Sequence, residues 1–134
     1  MALIVLDAGV VIGVLDGSDP HHAAARAAVS AALEAGDGLA LPASAYAEAQ
    51  VGPARRGRDA MQGLDAFLAD LSIGVEPITR QVASRAAQLR ARHGARLRLP
   101  DALVLATALH LKADRVLTTD SRWPASGITV QVLA

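Results

Sequence analysis

A helix without a polar side is the feature that most constrains how this chain can fold. From Pro100 to Leu111 nearly every residue is apolar, and Pro100 suits the first turn of a helix because that turn does not need its missing N–H. A helix that is apolar all round must be buried all round. Other elements must therefore surround this segment, while the acid near its start, Asp101, stands beside the positive end of the helix dipole.

Short apolar runs alternate with longer helical stretches along the rest of the chain. The first run, Ala2–Leu6, is continuous and partly β-branched, which is typical of a strand buried on both faces. Similar runs recur at residues 38–41, 72–76, 115–119 and 128–133. Because strands that alternate with helices favour a parallel sheet, we predict a single α/β domain over residues 1–134. Its parallel sheet has about five strands, with helices on both faces.

Composition narrows the class of protein. The chain has 134 residues, a usual size for one domain, and its 13 basic and 13 acidic residues leave no net charge that would attract nucleic acid globally. It has no cysteine, which excludes disulfides, thiolate metal sites and a cysteine nucleophile. No uncharged run reaches the length of about 18 residues that a membrane helix needs. We therefore expect a cytoplasmic protein that does not bind a membrane.

Four acids, far apart in the sequence, are expected at one edge of this sheet. Asp7 and Asp120 each follow a predicted strand, and Asp101 begins the buried helix. Glu48 lies about one turn into the helix after the second predicted strand, where Ser44 can act as the N-cap. In parallel sheets, ligands bind outside the carboxyl ends of the strands. These four carboxyl groups are therefore predicted to share one ligand site.

Carboxylates that lie close together repel one another unless a cation neutralises them. Mg²⁺ and Mn²⁺ prefer oxygen ligands, and such ions support the hydrolysis of phosphodiesters by activating water and stabilising the leaving oxygen. Taken singly, each acid also has a plainer structural interpretation. Asp7 and Asp120 could be turn or cap residues, Asp101 could only complement the helix dipole, and Glu48 could lie on a solvated face.

Four sequence motifs, in this order, resemble those of the PIN-domain nucleases. They are Ile4–Ile12 (IVLDAGVVI), Ser44–Glu48 (SAYAE), Leu99–Thr107 (LPDALVLAT) and Val116–Asp120 (VLTTD). The resemblance covers essentially the whole chain and is greatest to the small toxins of VapBC-type toxin–antitoxin pairs. It implies a metal-dependent endoribonuclease that is kept silent by a small antitoxin protein and forms a homodimer, for which the apolar faces of residues 43–71 are the expected interface.

The resemblance also implies roles for individual residues. Asp7, Glu48, Asp101 and Asp120 would be the catalytic acids that hold Mg²⁺ or Mn²⁺. The family commonly has Ser, Thr or Asn directly after the first of these acids, whereas this chain has Ala8. That difference removes a hydrogen bond that could orient Asp7 or a water molecule on the metal.

RNA binding is expected to involve Arg96, Arg98 and Thr118. The two arginines end a run of six, with no acid between Glu76 and Asp101. This run is either a solvated helix face or a basic track that leads phosphates to the acids. A non-catalytic RNA- or protein-binding module of the same fold remains the alternative function.

Overall fold

Five parallel strands form one sheet in a computed structural model that describes all residues, 1–134. The strands cross the sheet in the order β3-β2-β1-β4-β5, and every neighbouring pair is parallel. Ile4 of β1 pairs with Leu39 of β2 on one side and with Arg115 of β4 on the other. The predicted fold class is thus confirmed. The strands are β1 (Leu3–Leu6), β2 (Gly38–Pro42), β3 (Gly74–Glu76), β4 (Arg115–Thr118) and β5 (Val130–Val132).

Six α-helices and one short 3₁₀ helix, Gly94–Arg96, connect the first four strands. Ile4, Val5 and Leu6 are all fully buried. Since successive strand residues point to opposite faces, both faces of the sheet are covered. The helices are α1 (Ala8–Leu15), α2 (His22–Glu34), α3 (Ala43–Arg56), α4 (Arg58–Asp70), α5 (Arg80–His93) and α6 (Leu99–His110).

Helix α6 is the buried helix that the sequence predicts. It packs against α5, α3 and three strands of the sheet, β1, β2 and β4. Alanines make up half of its buried positions, and their small side chains let neighbouring backbones approach closely. Its two ends reach the surface: Leu99 is half exposed and Asp101 partly exposed in the first turn, and His110 is exposed at the last residue. Its buried residues are Ala102, Val104, Leu105, Ala106, Thr107 and Ala108.

Local sequence signals predict that α2 begins with Asp19 as its N-cap and Pro20 as its first residue, and that the helix capped by Ser44 ends near Gly52 and Pro53. The ends of these two helices differ from the prediction. Helix α2 begins at His22 rather than after Asp19, because the Asp19 side chain accepts a hydrogen bond from the backbone N–H of His21 and forms a turn. Helix α3 does not end near Pro53 but continues through it to Arg56. Its N-cap position is Pro42, so Ser44 lies inside the first turn and does not cap the helix.

The strand order reverses at β1, which lies between β2 and β4. In open parallel sheets a crevice forms beyond the carboxyl ends of the strands at such a switch point. Asp7 directly follows β1, and Asp120 follows β4 by two residues, so both enter this crevice. None of the helices combines the length and apolar character required to cross a lipid bilayer.

Candidate active site

Asp7 lies at the centre of the crevice, where its backbone N–H still continues the sheet by donating to the Leu117 carbonyl (3.0 Å). The side chain caps α1, because its Oδ1 accepts a hydrogen bond from the Ala8 N–H (2.8 Å). Its Oδ2 accepts one from the Thr118 hydroxyl (2.8 Å). Asp7 is only 9% exposed, and this burial raises its pKa although the two hydrogen bonds act to lower it.

Thr118 connects two of the acids. Its Oγ1 donates to Asp7 Oδ2 and accepts a hydrogen bond from the backbone N–H of Asp120 (3.1 Å). The sequence prediction placed Thr118 among the residues that bind substrate, but its side chain is fully buried. In this arrangement the hydroxyl orients the two acids through these contacts, and a role of Thr118 in substrate binding stays a prediction.

Asp101 and Asp120 line one wall of a cleft of about 240 Å³. Burial raises the pKa of Asp101, and the negative charges of Asp7 and Asp120 raise it further. The positive charge of Arg98 acts to lower the pKa of Asp101. The indole N–H of Trp123 acts in the same direction, although it does not form a hydrogen bond of good geometry. The remaining lining residues are Ala95, Arg96, Arg98, Arg122 and Trp123.

Arg122 is a site residue that the sequence analysis missed. Its guanidinium donates to both carboxylate oxygens of Asp120, each at 3.1 Å, and its backbone N–H donates to Oδ1 at 2.9 Å. These contacts lower the pKa of Asp120, the opposite of what happens at Asp101. The Arg122 side chain is 82% exposed, so this ion pair adds little to stability. The sequence signal that could have identified it is its position two residues after Asp120, in the turn that follows β4.

Glu48 approaches the same crevice from α3. Although the residue is more exposed than Asp7 or Asp101, partial burial of its carboxyl raises its pKa, and the charge of Asp101 adds to the effect. Glu48 also acts to raise the pKa of Asp7. Each of the four predicted acids is therefore close enough to at least two of the others for their charges to interact, at the same edge of the sheet.

The donor chemistry of this cluster suits a hard divalent cation, since it consists of carboxylate oxygens that destabilise one another in their charged forms. No three Asp, Glu or His side chains lie near enough together to hold an ion without rearrangement. One reason is that Asp120 is paired with Arg122. A bound ion would require Asp120 to exchange this partner for the metal.

Ala8, where the resembling nucleases commonly have a polar residue, is buried at the start of α1. The hydroxyl of Thr119 lies next to that turn. Thr119 packs so closely against Gly9 that a Cβ added to this glycine would lie 2.5 Å from Thr119 Oγ1. Gly9 is therefore required to be small, and Thr119 brings a partly exposed hydroxyl to the helix end at which Ala8 has none.

The fold and the sequence agree with those of known proteins. A search of curated proteins finds no significant match. Solved structures match over nearly the whole chain, beginning with a toxin–antitoxin complex from Klebsiella pneumoniae (24% identity, TM-score 0.76, 96% of each chain covered). VapC20 of Mycobacterium tuberculosis, described as a sarcin–ricin loop cleaving toxin, matches at 20% identity and a TM-score of 0.74, with 94% of this chain and 96% of that one covered.

VapBC2 of Rickettsia felis, solved with a DNA fragment from its promoter, matches at 14% identity with a TM-score of 0.76, covering 98% of this chain and 99% of that one. At such identities these neighbours show a shared fold, and they confirm the structural resemblance to VapBC toxins. The model of the PIN domain family matches residues 4–127, and the chain therefore belongs to the PIN domain family.

Proposed function

We propose that this protein is a Mg²⁺- or Mn²⁺-dependent endoribonuclease that acts in the cytoplasm as the toxin of a toxin–antitoxin pair. The observation that carries the proposal is the convergence of Asp7, Glu48, Asp101 and Asp120 at the switch point of a PIN domain. Burial and mutual repulsion raise the pKa of three of these acids. A site of this kind is costly to maintain in a small domain unless a cation binds there.

Asp7, Glu48, Asp101 and Asp120 would hold the ion in this proposal. When bound, such an ion activates a water molecule and stabilises the negative charge that develops on the phosphate. The chain itself fixes the position of Asp7 through two hydrogen bonds, one from Ala8 N–H and one from Thr118. Thr118 also ties the backbone of Asp120 to Asp7, so that the two strand ends keep a constant spacing.

The arginines of the cleft would bind the RNA backbone. Arg96, Arg98 and Arg122 line the same cleft as Asp101 and Asp120, and guanidinium groups match the geometry of phosphate oxygens. Arg122 would leave Asp120 for a phosphate oxygen when the ion binds. Exchange of that exposed pair costs little because surface ion pairs contribute at most about 1 kcal/mol.

The metal requirement tests the proposal. Purified protein is expected to cut a labelled single-stranded RNA in Mg²⁺ or Mn²⁺, to lose that activity in EDTA, and to regain it when the ion is restored. Product lengths resolved on a gel distinguish internal cuts from removal of terminal nucleotides. Binding of RNA without any cleavage in either ion would instead favour the non-catalytic binding module.

An antitoxin partner is proposed because the structural neighbours include several toxin–antitoxin complexes. A groove of about 420 Å³ between α1 and α3 gives such a partner a place to bind. Ile12 and Leu15 expose apolar surface there, and Asp16 and Arg56 add charges. A partner helix with an apolar face would fit this groove, and an arginine on the same peptide could reach the acids and exclude metal.

Expression in a bacterial host tests the toxin assignment. The chain alone is expected to arrest growth, and co-expression of its genomic neighbour is expected to restore it. Asp101→Asn is the matched control, since that variant keeps the fold but should be harmless. Normal growth with the wild-type chain at the same protein level would contradict the toxin role without contradicting nuclease activity.

The homodimer through residues 43–71 stays a prediction, for which Val51 is the one large apolar side chain exposed in that range.

A further inference from the structure

A second pocket, separate from the acidic cleft, lies between α5, the end of α6 and the segment that precedes β5. Its volume is about 170 Å³. Arg85, Gln88 and Arg92 are spaced three and four residues apart, so they share one face of α5. The other lining residues are Leu89, Leu109 and Ser126.

The charge in this pocket is uncompensated. Neither Arg85 nor Arg92 makes an ion pair, and the two ion pairs of the chain lie elsewhere, at His21 and Arg122. The α5 segment cannot supply a partner, because the chain has no acid between Glu76 and Asp101. Two guanidinium groups that converge on one pocket without a carboxylate favour an anionic ligand.

Ser126 provides an independent sign of a ligand. Its Oγ is buried and has no hydrogen-bond partner within the protein. Buried polar groups are nearly always paired, because an unpaired one loses its hydrogen bonds to water without replacement. A phosphate oxygen placed between the two arginines would accept the hydrogen bond that Ser126 can donate.

The floor of the pocket is apolar. Leu89 is buried and Leu109 is partly buried beneath the polar rim. An inorganic anion gains nothing from such a surface, whereas a ribose or a base covers it. Hydrogen-bond donors for a phosphate, next to an apolar surface, therefore suit a nucleotide unit better than a free inorganic anion.

The segment after Asp120 joins this pocket to the acidic cleft. Arg122 and Trp123 line the cleft, and Ser126 lines the second pocket. Two residues lie between Trp123 and Ser126, so their Cα atoms are at most about 11 Å apart. We propose that the pocket is an RNA subsite that binds a backbone phosphate outside the scissile position. This inference rests on the proposed ribonuclease function.

Binding in EDTA tests the subsite apart from cleavage. Fluorescence anisotropy would compare labelled single-stranded RNAs of 12 and 4 nucleotides on the wild type and on the Arg85→Gln/Arg92→Gln double variant. We expect the double variant to bind the 12-nucleotide RNA about tenfold more weakly, which corresponds to one lost charge-assisted phosphate contact. Its slope of log affinity against log salt should fall by about 0.7, the value for one phosphate on a single strand. The 4-nucleotide RNA, which has only three internal phosphates, should lose less affinity in the double variant than the 12-nucleotide RNA does.

Two further variants make the result specific. Arg90→Gln removes the same charge from the same helix but lies outside the pocket, and it should retain wild-type affinity and salt slope. Ser126→Ala should weaken binding of the longer RNA without changing the salt slope. Equal melting temperatures would show that all these proteins are folded.

Either of two results would overturn the subsite. One is an unchanged affinity of the double variant for the 12-nucleotide RNA, and the other is an equal loss of affinity in Arg90→Gln. NMR with inorganic phosphate alone tests the other ligand source. If phosphate shifts the Ser126 amide while RNA affinity does not depend on Arg85 and Arg92, the pocket is a free-phosphate site. A wild-type protein that binds no RNA would contradict the proposed function itself, whereas normal cleavage with unaffected binding would remove only the subsite.

Discussion

Asp101→Asn is expected to lower the rate of RNA cleavage by about 1,000-fold, because it removes one of the carboxylate charges that would hold the proposed ion, and such an ion supplies several kcal/mol of transition-state stabilisation. The fold should persist, since asparagine has nearly the same volume and Asp101 lies in the partly exposed first turn of α6. Single-turnover cleavage of a labelled RNA measures the effect. Circular dichroism and thermal melting measure the fold.

The matched control is Asp70→Asn. It makes the same chemical change at an exposed position at the end of α4, and it should cleave RNA at the wild-type rate. A second expectation concerns the metal-free protein. Because the negative charges of Asp7 and Asp120 raise the pKa of Asp101 through repulsion, removing the charge of Asp101 should raise the melting temperature in EDTA. Wild-type cleavage by Asp101→Asn would show that the acidic edge is not the catalytic centre.

Thr118→Val is expected to lower both stability and activity. Valine has almost the same shape, but it removes the donor to Asp7 Oδ2 and the acceptor for the Asp120 N–H, both inside the fold. Loss of a buried hydrogen bond to a charged group costs about 2 kcal/mol. Misplacing a ligand's supporting contact costs about 10- to 100-fold in metal affinity or activity. Urea unfolding and cleavage rates measure the two effects.

The pH dependence of this variant separates orientation from simple destabilisation. The Thr118 hydrogen bond acts to lower the pKa of Asp7, so its removal raises that pKa further. A larger fraction of Asp7 is then protonated at mildly acidic pH, and the acidic limb of the cleavage profile should move to higher pH. Thr118→Ser keeps the hydroxyl and should retain the wild-type profile. If Thr118→Val cleaves RNA with an unchanged rate and profile, Thr118 does not orient the acids.

The sheet and the location of the site could be read from the sequence for physical reasons. A parallel strand buried on both faces must be apolar at every position, and Ala2–Leu6 shows such a run. The first charged residue after a buried strand is expected at the sheet edge, which is where the sequence puts Asp7 and Asp120. The uniformly apolar segment after Pro100 similarly identified α6 as the helix that other elements surround.

The contacts around the acids could not be predicted, because they depend on the directions of side chains and not on spacing. Thr118 and Thr119 are chemically equivalent in the sequence, yet the first is buried against Asp7 while the second is partly exposed beside Gly9. The pairing of Arg122 with Asp120 arises in a turn that has no periodic pattern. The extension of α3 through Pro53 shows a helix boundary that tertiary packing determined against local preference.

Binding of a divalent ion at the acidic edge can be measured most directly by calorimetric titration of Mn²⁺ into the metal-free protein. We expect saturable binding to the wild type and to Asp70→Asn, and binding at least about tenfold weaker to Asp101→Asn, since ligand charge dominates affinity for hard cations. Samples taken at each point should gain RNA cleavage in parallel with occupancy. Equal Mn²⁺ affinity in the wild type and Asp101→Asn, or cleavage that proceeds without bound ion, would contradict the assignment of this edge as a metal-dependent nuclease site.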